Sequence, residues 1–299
     1  MKMERKFRIS CESTVDLPYS YMESRDIPVL FYSYTIEGKE YEDDMGRNKT
    51  APAAFYERIE AGQIPKTSQL NTFAYCEFFE KMLEGGDCLH IVFGSGMTTS
   101  INNAIEAAEI VRKKYPENKL VVVDSTCSSS GYGLLVDAAA DLRDEGKSME
   151  DVEKWLIANR THVHHQFYST DLKYYRRSGR ISGAAAAVGA VLNLCPLMRL
   201  NRAGKIVAYS KVRGKKAAVK ETVSEMLAHA DGGAEYSGKC FICHSNCISD
   251  AEKTKDAIEK AFPNLCGKIR ICDIGMIIAS HCGPDTVAAF FMGDERPEC

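Results

Sequence analysis

Four short runs rich in Ser and Thr are the residues of this chain with the clearest potential for chemistry. They lie at residues 10–14, 66–69, 94–100 and 124–131. Three of them follow an apolar, strand-like run, and all four precede a segment with helical character. At the carboxyl ends of parallel strands, helix N-termini with unpaired N–H groups favour anions. We therefore predict an oxyanion-binding crevice, against the alternative that these residues only cap helices.

Two motifs in the second half of the chain add cations and an imidazole. Residues 174–181 place Arg176, Arg177 and Arg180 around Gly179, and Arg binds carboxylate or phosphate through two parallel hydrogen bonds. Residues 274–285 form an apolar run that ends in His281 just before a Gly-Pro turn. Such a turn presents an imidazole at a crevice. The alternatives are a solvated basic turn and a structural histidine.

The signals for catalysis are weak. The chain contains neither a Gly-x-Ser-x-Gly nucleophile elbow nor the Gly-rich phosphate loop that ends in Gly-Lys-Ser/Thr. None of the four hydroxyl-rich runs contains a His. We therefore expect a binding protein with no catalytic residue. The alternative is a hydrolase or transferase for an acyl or phosphorylated substrate, with a Ser or Thr nucleophile and His281 as the base.

Twelve cysteines invite a redox or metal interpretation. The tightest cluster, Cys240-x-x-Cys243-His244, matches the pattern of covalent haem attachment. However, this segment has the pattern of a buried strand, which places Cys240 and Cys243 on opposite faces and disfavours haem or zinc. We predict free structural thiols, and we expect neither a metal nor a cofactor.

The length, charge and hydropathy of the chain predict the number of domains and disfavour nucleic-acid-binding and membrane-spanning proteins. A chain of 299 residues exceeds the usual size of one core, so we predict two domains, at residues 1–160 and 161–299. The net charge of −3 gives no support for binding nucleic acid. No apolar run approaches the ~20 residues of a membrane span, and the charged start does not resemble a signal peptide. We predict a cytoplasmic protein without stable membrane insertion.

Strand and helix patterns alternate in the first half, which indicates a mostly parallel sheet with flanking helices. The second half has the pattern of a mixed or antiparallel sheet with helices, including a hairpin with its turn at residues 201–204. The predicted fold is therefore two α/β domains with the ligand site between them. The predicted strands are 7–10, 28–35, 88–93, 120–123, 163–169, 197–200, 205–210, 240–245, 268–272 and 287–292. The predicted helices are 53–61, 72–84, 100–114, 134–145, 149–159, 172–177, 215–230 and 251–261.

The order of the motifs resembles the DegV family. It comprises Ser-x-x-Ser-Thr-x-Asp-Leu-Pro from residue 10, Lys-Thr-Ser-Gln from 66, a Ser/Gly/Thr loop, Val-Val-Asp-Ser from 122, Arg-x-Gly-Arg-Ile from 177 and Ser-His-x-Gly-Pro from 280. The resemblance implies a carrier that binds a long-chain fatty acid. It also implies a partner, a separate fatty-acid kinase, which phosphorylates the presented carboxylate for phospholipid synthesis.

The resemblance also assigns the ligand contacts. Thr67 and Thr98 stand where the family binds the carboxylate, and Arg180 and His281 match residues near the head group. Thr99 and Ser178 stand where the family has Gly. The predicted ligand-binding set is Thr67, Ser68, Ser95, Thr98, Thr99, Arg180 and His281.

The fatty-acid tail needs an apolar slot. Burying about 15 methylenes at about 0.8 kcal/mol each contributes about 12 kcal/mol before ordering costs, so the tail supplies most of the affinity. The candidate lining residues are Phe93, Met97, Ile101, residues 184–188, Leu192 and residues 276–278, and the alternative for each is plain core packing.

Overall fold

Three β-sheets organise the chain, whose computed structural model describes residues 7–181 and 194–298. The strands are β1 (Arg8–Glu12), β2 (Val29–Leu30), β3 (Ser33–Ile36), β4 (Lys39–Glu42), β5 (Lys66–Thr67), β6 (Cys88–Val92), β7 (Leu120–Asp124), β8 (Val163–Ser169), β9 (Leu194–Leu200), β10 (Ile206–Arg213), β11 (Phe241–His244), β12 (Arg270–Asp273) and β13 (Thr286–Met292). The helices are α1 (Tyr19–Ser24), α2 (Ala51–Glu60), α3 (Thr72–Leu83), α4 (Ser100–Lys114), α5 (Ser129–Asp144), α6 (Met149–Asn159), α7 (Lys173–Arg177), α8 (Lys215–His229), α9 (Ile248–Ala261) and α10 (Met276–Cys282). Short 3-10 turns cover Ser13–Val15, Gly233–Glu235 and Pro263–Leu265.

The first half carries the predicted parallel sheet. Its strands have the order β2-β1-β6-β7, and every pair is parallel. The run Cys88–Val92 is buried at every position, as expected for a strand covered by helices on both faces. The carboxyl ends of β1, β6 and β7 lead directly into three of the four hydroxyl-rich runs, as the sequence predicts.

Helix α5 begins at Ser129, five residues before the predicted start. The first turn of α5 was not predicted from the sequence because it contains Gly131 and Gly133, and glycine has a low helix propensity. Both glycines are needed for close packing: a Cβ on Gly131 would lie 2.4 Å from the His165 ring, and one on Gly133 would lie 2.6 Å from the Val15 carbonyl. Tertiary packing therefore overrides helix propensity at this site.

A small antiparallel sheet of order β4-β3-β5 was not predicted. The predicted strand at 28–35 is wrong, because the chain divides there into β2 of the parallel sheet and β3 of this small sheet. Strand β4 has the sequence Lys-Glu-Tyr-Glu and is mostly exposed, so it shows no alternation of apolar residues. Strand β5 contains Thr67 and pairs it with Tyr34.

The second half forms a six-stranded mixed sheet of order β10-β9-β8-β13-β11-β12. Only the β11–β12 pair is parallel, and the predicted hairpin joins β9 to β10. Cys240 and Cys243 lie on opposite faces of the sheet, as predicted. Cys243 packs into the core that this sheet shares with the parallel sheet, whereas Cys240 packs into the core beneath α8 and α9. All cysteines among the described residues are free thiols.

The two faces of this mixed sheet pack against different partners. Its inner face shares one apolar core with the parallel sheet and the helices of the first half. Its outer face packs against α8 and α9 in a second core. Within residues 7–181 and 194–298, no helix combines the length and the apolar character that crossing a membrane requires.

Candidate functional site

A cavity of about 470 Å³ lies between the carboxyl ends of the parallel strands and the inner face of the mixed sheet. Its volume falls within the range of small-molecule sites, roughly 300–1,000 Å³. Among the predicted site residues, Thr67, Ser68, Thr98, Arg180 and His281 line it. The first hydroxyl-rich run is buried beneath the cavity, whereas each of the other three runs contributes to the lining.

A polar cluster of Thr67, Ser178, Arg180 and His281 occupies one region of the lining, and Thr98 lines the same cavity next to Met97. Thr67 Oγ1 lies 2.9 Å from His281 Nε2. The Ser178 hydroxyl has two carbonyl acceptors within reach, that of Tyr175 at 3.1 Å and that of His281 at 3.4 Å. Arg180 Nη1 donates to the Ser178 carbonyl at 2.6 Å, and Nη2 donates to the Met97 carbonyl at 3.5 Å. Side chains from both halves of the chain therefore converge on one point.

His281 is a neutral imidazole within this cluster. Burial, with smaller contributions from the neighbouring Arg180 and Arg177 charges, lowers its pKa to about 4. Its Nδ1 is buried and has no hydrogen-bond partner among the described residues. A general base needs a pKa near the working pH and an orienting partner. The geometry therefore suits a hydrogen-bonding role for His281 better than proton abstraction.

Arg180 is a half-buried cation that lacks an acidic partner in the described part of the chain. Burial alone lowers its pKa, and the hydrogen-bond acceptors found for it are carbonyls. The described lining also contains Lys66 and Arg177 but no Asp or Glu. Because a half-buried cation without a counter-ion attracts an anion, the cluster is suited to a carboxylate or a phosphate.

The loop after β6 brings Thr98 to the cavity but directs Ser95 and Thr99 elsewhere. The hydroxyl of Thr98 lies 3.0 Å from Ser100 Oγ and accepts from the Ser100 N–H at 3.2 Å, at the start of α4. Ser95 Oγ instead donates to Asp124 at 2.6 Å, and Thr99 exchanges hydrogen bonds with Gln69. Both side chains are exposed and lie outside the lining.

The rest of the lining is largely apolar. Of the residues predicted for the slot, Phe93, Met97, Ile277 and Ile278 line the cavity. Ile101 and Met276 pack against the core outside it, and residues 184–188 and Leu192 lie outside the described residues. The mixed sheet adds side chains that sequence reasoning missed, namely Phe167, Leu200, Ile206, Cys243, Ala288 and Phe290.

Glu12 is a buried residue that shapes the site from beneath. Its carboxylate accepts from the Phe93 N–H at 2.9 Å, from the Tyr75 hydroxyl and from the Tyr32 hydroxyl at 3.4 Å. Phe93 and Tyr32 both line the cavity. Glu12 therefore fixes the start of the loop that carries Thr98. The position of Glu12 within the first hydroxyl-rich run was the only sequence feature that could have pointed to this role. Charged residues are usually exposed, so the sequence alone does not predict that this carboxylate is fully buried.

Two buried carboxyl groups, Asp16 and Asp43, support the helix that carries His281. Both carboxyl groups lie against Gly275 at the start of α10, where the backbone N–H groups of Gly275 and Met276 interact favourably with their ionised forms. Ser129 also donates to Asp16. Burial raises the pKa of Asp43 to about 7 and raises the pKa of Asp16 well above its ordinary value.

We expect Asp43→Asn to change how stability depends on pH. The raised pKa means that the folded protein retains this proton up to about pH 7, whereas the unfolded chain releases it near pH 4. Asp43 therefore contributes stability at low pH that is lost as pH rises from about 4 to 7. The free energy of unfolding of the variant, relative to wild type, should increase by up to about 4 kcal/mol over this window. Urea unfolding at pH 5 and pH 8 measures the change, and an equal difference at both values would contradict it.

Comparisons with known proteins agree with this architecture. The family model of the DegV family matches residues 6–294. A DegV domain-containing protein of Clostridium perfringens is 34% identical over 293 residues, which cover 98% of this chain and 99% of that relative.

Solved structures agree as well. A DegV lipid-binding protein of Thermotoga maritima is 26% identical, with a TM-score of 0.83 over 97% of this chain and 99% of that one. The fold is also that of the fatty acid kinase B3 protein of Streptococcus pneumoniae, which was solved loaded with linoleic acid. It is 19% identical, with a TM-score of 0.82 over 97% of this chain and 100% of that one.

Proposed function

The chain belongs to the DegV family, and on that premise we propose that it is a long-chain fatty-acid carrier with no catalytic step of its own. The observation that carries this proposal is the cavity of about 470 Å³, in which cations and hydroxyls surround His281 while apolar side chains of the mixed sheet supply the remaining wall. A fatty acid has the same division between an anionic head and an apolar tail.

The two parts of the cavity have different roles in this proposal. The apolar wall supplies most of the affinity, because tail burial contributes about 12 kcal/mol before ordering costs. The hydroxyls of Thr67 and Thr98 contribute about 1 kcal/mol each and orient the carboxylate. Arg180 supplies the charge that keeps the head group ionised.

Native mass spectrometry after gentle purification tests the proposal directly. We expect a fatty acid of long chain to co-purify with the protein, and delipidated protein to bind added fatty acid in a titration. Protein that is free of lipid on isolation and also fails to bind in the titration would overturn the proposal.

We further propose that the bound carboxylate is presented to a fatty-acid kinase, which forms the acyl phosphate. The support is the fold shared with the fatty acid kinase B3 protein and the position of Arg180, Thr67 and His281 in one cluster. A second support is that Arg176 and Arg177 are exposed beside this cluster, where they offer a surface for an acidic partner.

The double variant Arg176→Glu plus Arg177→Glu should reduce acyl phosphate formation at least tenfold, because two repulsive charges replace two attractive ones at the docking surface. Fatty-acid occupancy should fall much less than turnover, because Arg176 lies outside the cavity lining and Arg177, although part of the lining, is exposed. The measurement is kinase turnover alongside lipid content by mass spectrometry. Unchanged turnover would exclude this surface.

Removing the two head-group hydroxyls should affect transfer more than binding. Thr67→Ala combined with Thr98→Ala loses about 2 kcal/mol of contacts, so fatty-acid affinity should fall only about 10- to 30-fold. Transfer to the kinase should fall much further, because the carboxylate loses its orientation. Ser95→Ala combined with Thr99→Ala is the matched control, since those hydroxyls lie outside the lining. Equal losses of binding and transfer in the first double variant would contradict this division of roles.

The enzyme alternative has one observation in its favour, which is that Thr67 Oγ1 and His281 Nε2 lie within hydrogen-bond distance at 2.9 Å. It has less support than the carrier because the pKa of His281 is lowered to about 4 and its Nδ1 lacks an orienting partner among the described residues. A screen of generic esters and phosphates decides between them, since turnover abolished by His281→Ala would favour the enzyme.

We propose that residues 1–160 and 161–299 are two domains that close around the ligand. In support, every described strand of the parallel sheet and the small sheet precedes residue 160, and every strand of the mixed sheet follows it.

A further inference from the structure

Two histidines and a carboxylate meet on the outer face of the mixed sheet, away from the cavity. His164 lies in β8, His229 is the last residue of α8, and Asp294 follows β13. Side chains alternate along a strand, so His165 and Phe167 line the cavity while His164 lies on the other face. There its ring stacks on Phe291 at a centroid distance of 5.1 Å. This cluster has no part in the proposed carrier function.

The three side chains converge on a common point. Asp294 Oδ1 lies 3.0 Å from His164 Nε2 and 3.0 Å from His229 Nδ1. One ligand atom from each residue lies within 4.8 Å of the other two. Tetrahedral ligands that bind zinc at about 2.0–2.1 Å lie about 3.3 Å from one another. Both carboxylate–imidazole separations are within a few tenths of an ångström of that value, and the two imidazole nitrogens lie no more than 4.8 Å apart.

The surroundings suit a metal centre with an open position. His164 is buried and fixes one ligand, whereas the Asp294 side chain is 60% exposed and leaves water access to the ion. His229 Nε2 faces Glu225 Oε2 at 3.7 Å across one helical turn. A carboxylate at the far nitrogen is the usual way to orient a metal-bound imidazole. Without metal, His164 Nε2 lies 2.9 Å from the Asp294 backbone carbonyl as well as 3.0 Å from its carboxylate, so a bound ion would replace this carbonyl contact.

We propose that His164, His229 and Asp294 form a binding site for a divalent transition metal of the zinc class. Two imidazoles and one carboxylate favour zinc, copper, nickel or cobalt over calcium or magnesium, which prefer all-oxygen ligands. The ion would join the end of α8, strand β8 and the segment after β13. Binding to the folded state alone would therefore stabilise the second half of the chain.

Titration with zinc and with cobalt(II), each as the metal alone, tests this site in tag-free, reduced, full-length protein. We expect one equivalent of zinc to bind, and cobalt to show the visible absorption of a tetrahedral centre without a thiolate charge-transfer band. His229→Ala and Asp294→Asn should each weaken zinc binding at least tenfold. His162→Ala is the matched control, because that neighbouring imidazole contacts the Gly293 carbonyl instead and should leave affinity unchanged.

Thermal unfolding gives a second readout. Zinc should raise the Tm of the wild type and of His162→Ala, but not that of either ligand variant. Equal zinc affinity in wild type and Asp294→Asn, or cobalt bound through cysteine thiolates, would overturn the proposal. Because the Asp294 side chain is exposed, we expect Asp294→Asn to fold normally. This variant therefore tests the site even if His229→Ala does not fold. Fatty-acid binding should be unchanged throughout, which separates this proposal from the carrier function.

Discussion

Ala288→Phe is expected to abolish retention of fatty acid while the protein still folds. Ala288 lies on β13 between Cys243 of β11 and Phe167 of β8, and all three side chains line the cavity. A phenyl ring at this position occupies space that the tail would use. Loss of room for four or five methylenes costs about 3–4 kcal/mol, which corresponds to a decrease in affinity of several hundredfold.

The measurement is fatty-acid content per protein by mass spectrometry, together with displacement of a fluorescent fatty acid. A graded series through Ala288→Val and Ala288→Leu should lower occupancy in steps and shorten the preferred chain. Ala54→Phe is the control, since Ala54 is exposed on α2 and carries the same change without touching the cavity. Full occupancy with unchanged affinity in Ala288→Phe would place the tail elsewhere.

The parallel sheet and the presence of a cavity at its carboxyl edge could be predicted because the signals there are local. Buried apolar runs such as Cys88–Val92 define strands, and the hydroxyl-rich runs mark their carboxyl ends. The motif order then identified Thr67 and His281 as belonging together, although 214 residues separate them. The order of the motifs along the chain predicts that Thr67 and His281 are close only because the resemblance to a known family implies how the chain folds.

The remaining features depend on tertiary contacts that leave no local pattern. The sequence predicts that a Gly-Pro turn presents His281, whereas His281 lies in the helix Met276–Cys282, which begins beside the buried Asp16 and Asp43. Arg296 is 1% exposed and donates to Thr126, although charged residues are expected at the surface. Buried charges and short helices of this kind are stable only because distant elements satisfy their hydrogen bonds.

Arg180→Met should weaken fatty-acid binding and leave the stability of the lipid-free protein unchanged or higher. In lipid-free protein, Arg180 is a half-buried cation with carbonyl acceptors and no carboxylate in the described part of the chain. Such a group is costly to bury, and methionine removes this cost. With lipid bound, the arginine gains a charged hydrogen bond of about 1.5–3 kcal/mol, so affinity should fall about 10- to 100-fold. A substitution that weakens fatty-acid affinity but raises the stability of the lipid-free protein is expected at a residue retained for function rather than for folding.

The design of controls makes this test specific to the buried charge. Arg177→Met removes a charge from the same lining at an exposed position, where the guanidinium lies over the Tyr174 ring, and should change affinity less than threefold. Arg180→Lys keeps the cation and should recover part of the binding, but not the bidentate geometry that only a guanidinium provides. Thermal unfolding of delipidated protein and fatty-acid titration together measure both signs. If Arg180→Met lowered Tm and left affinity intact, Arg180 would be a structural residue, and the head group would bind elsewhere in the cavity.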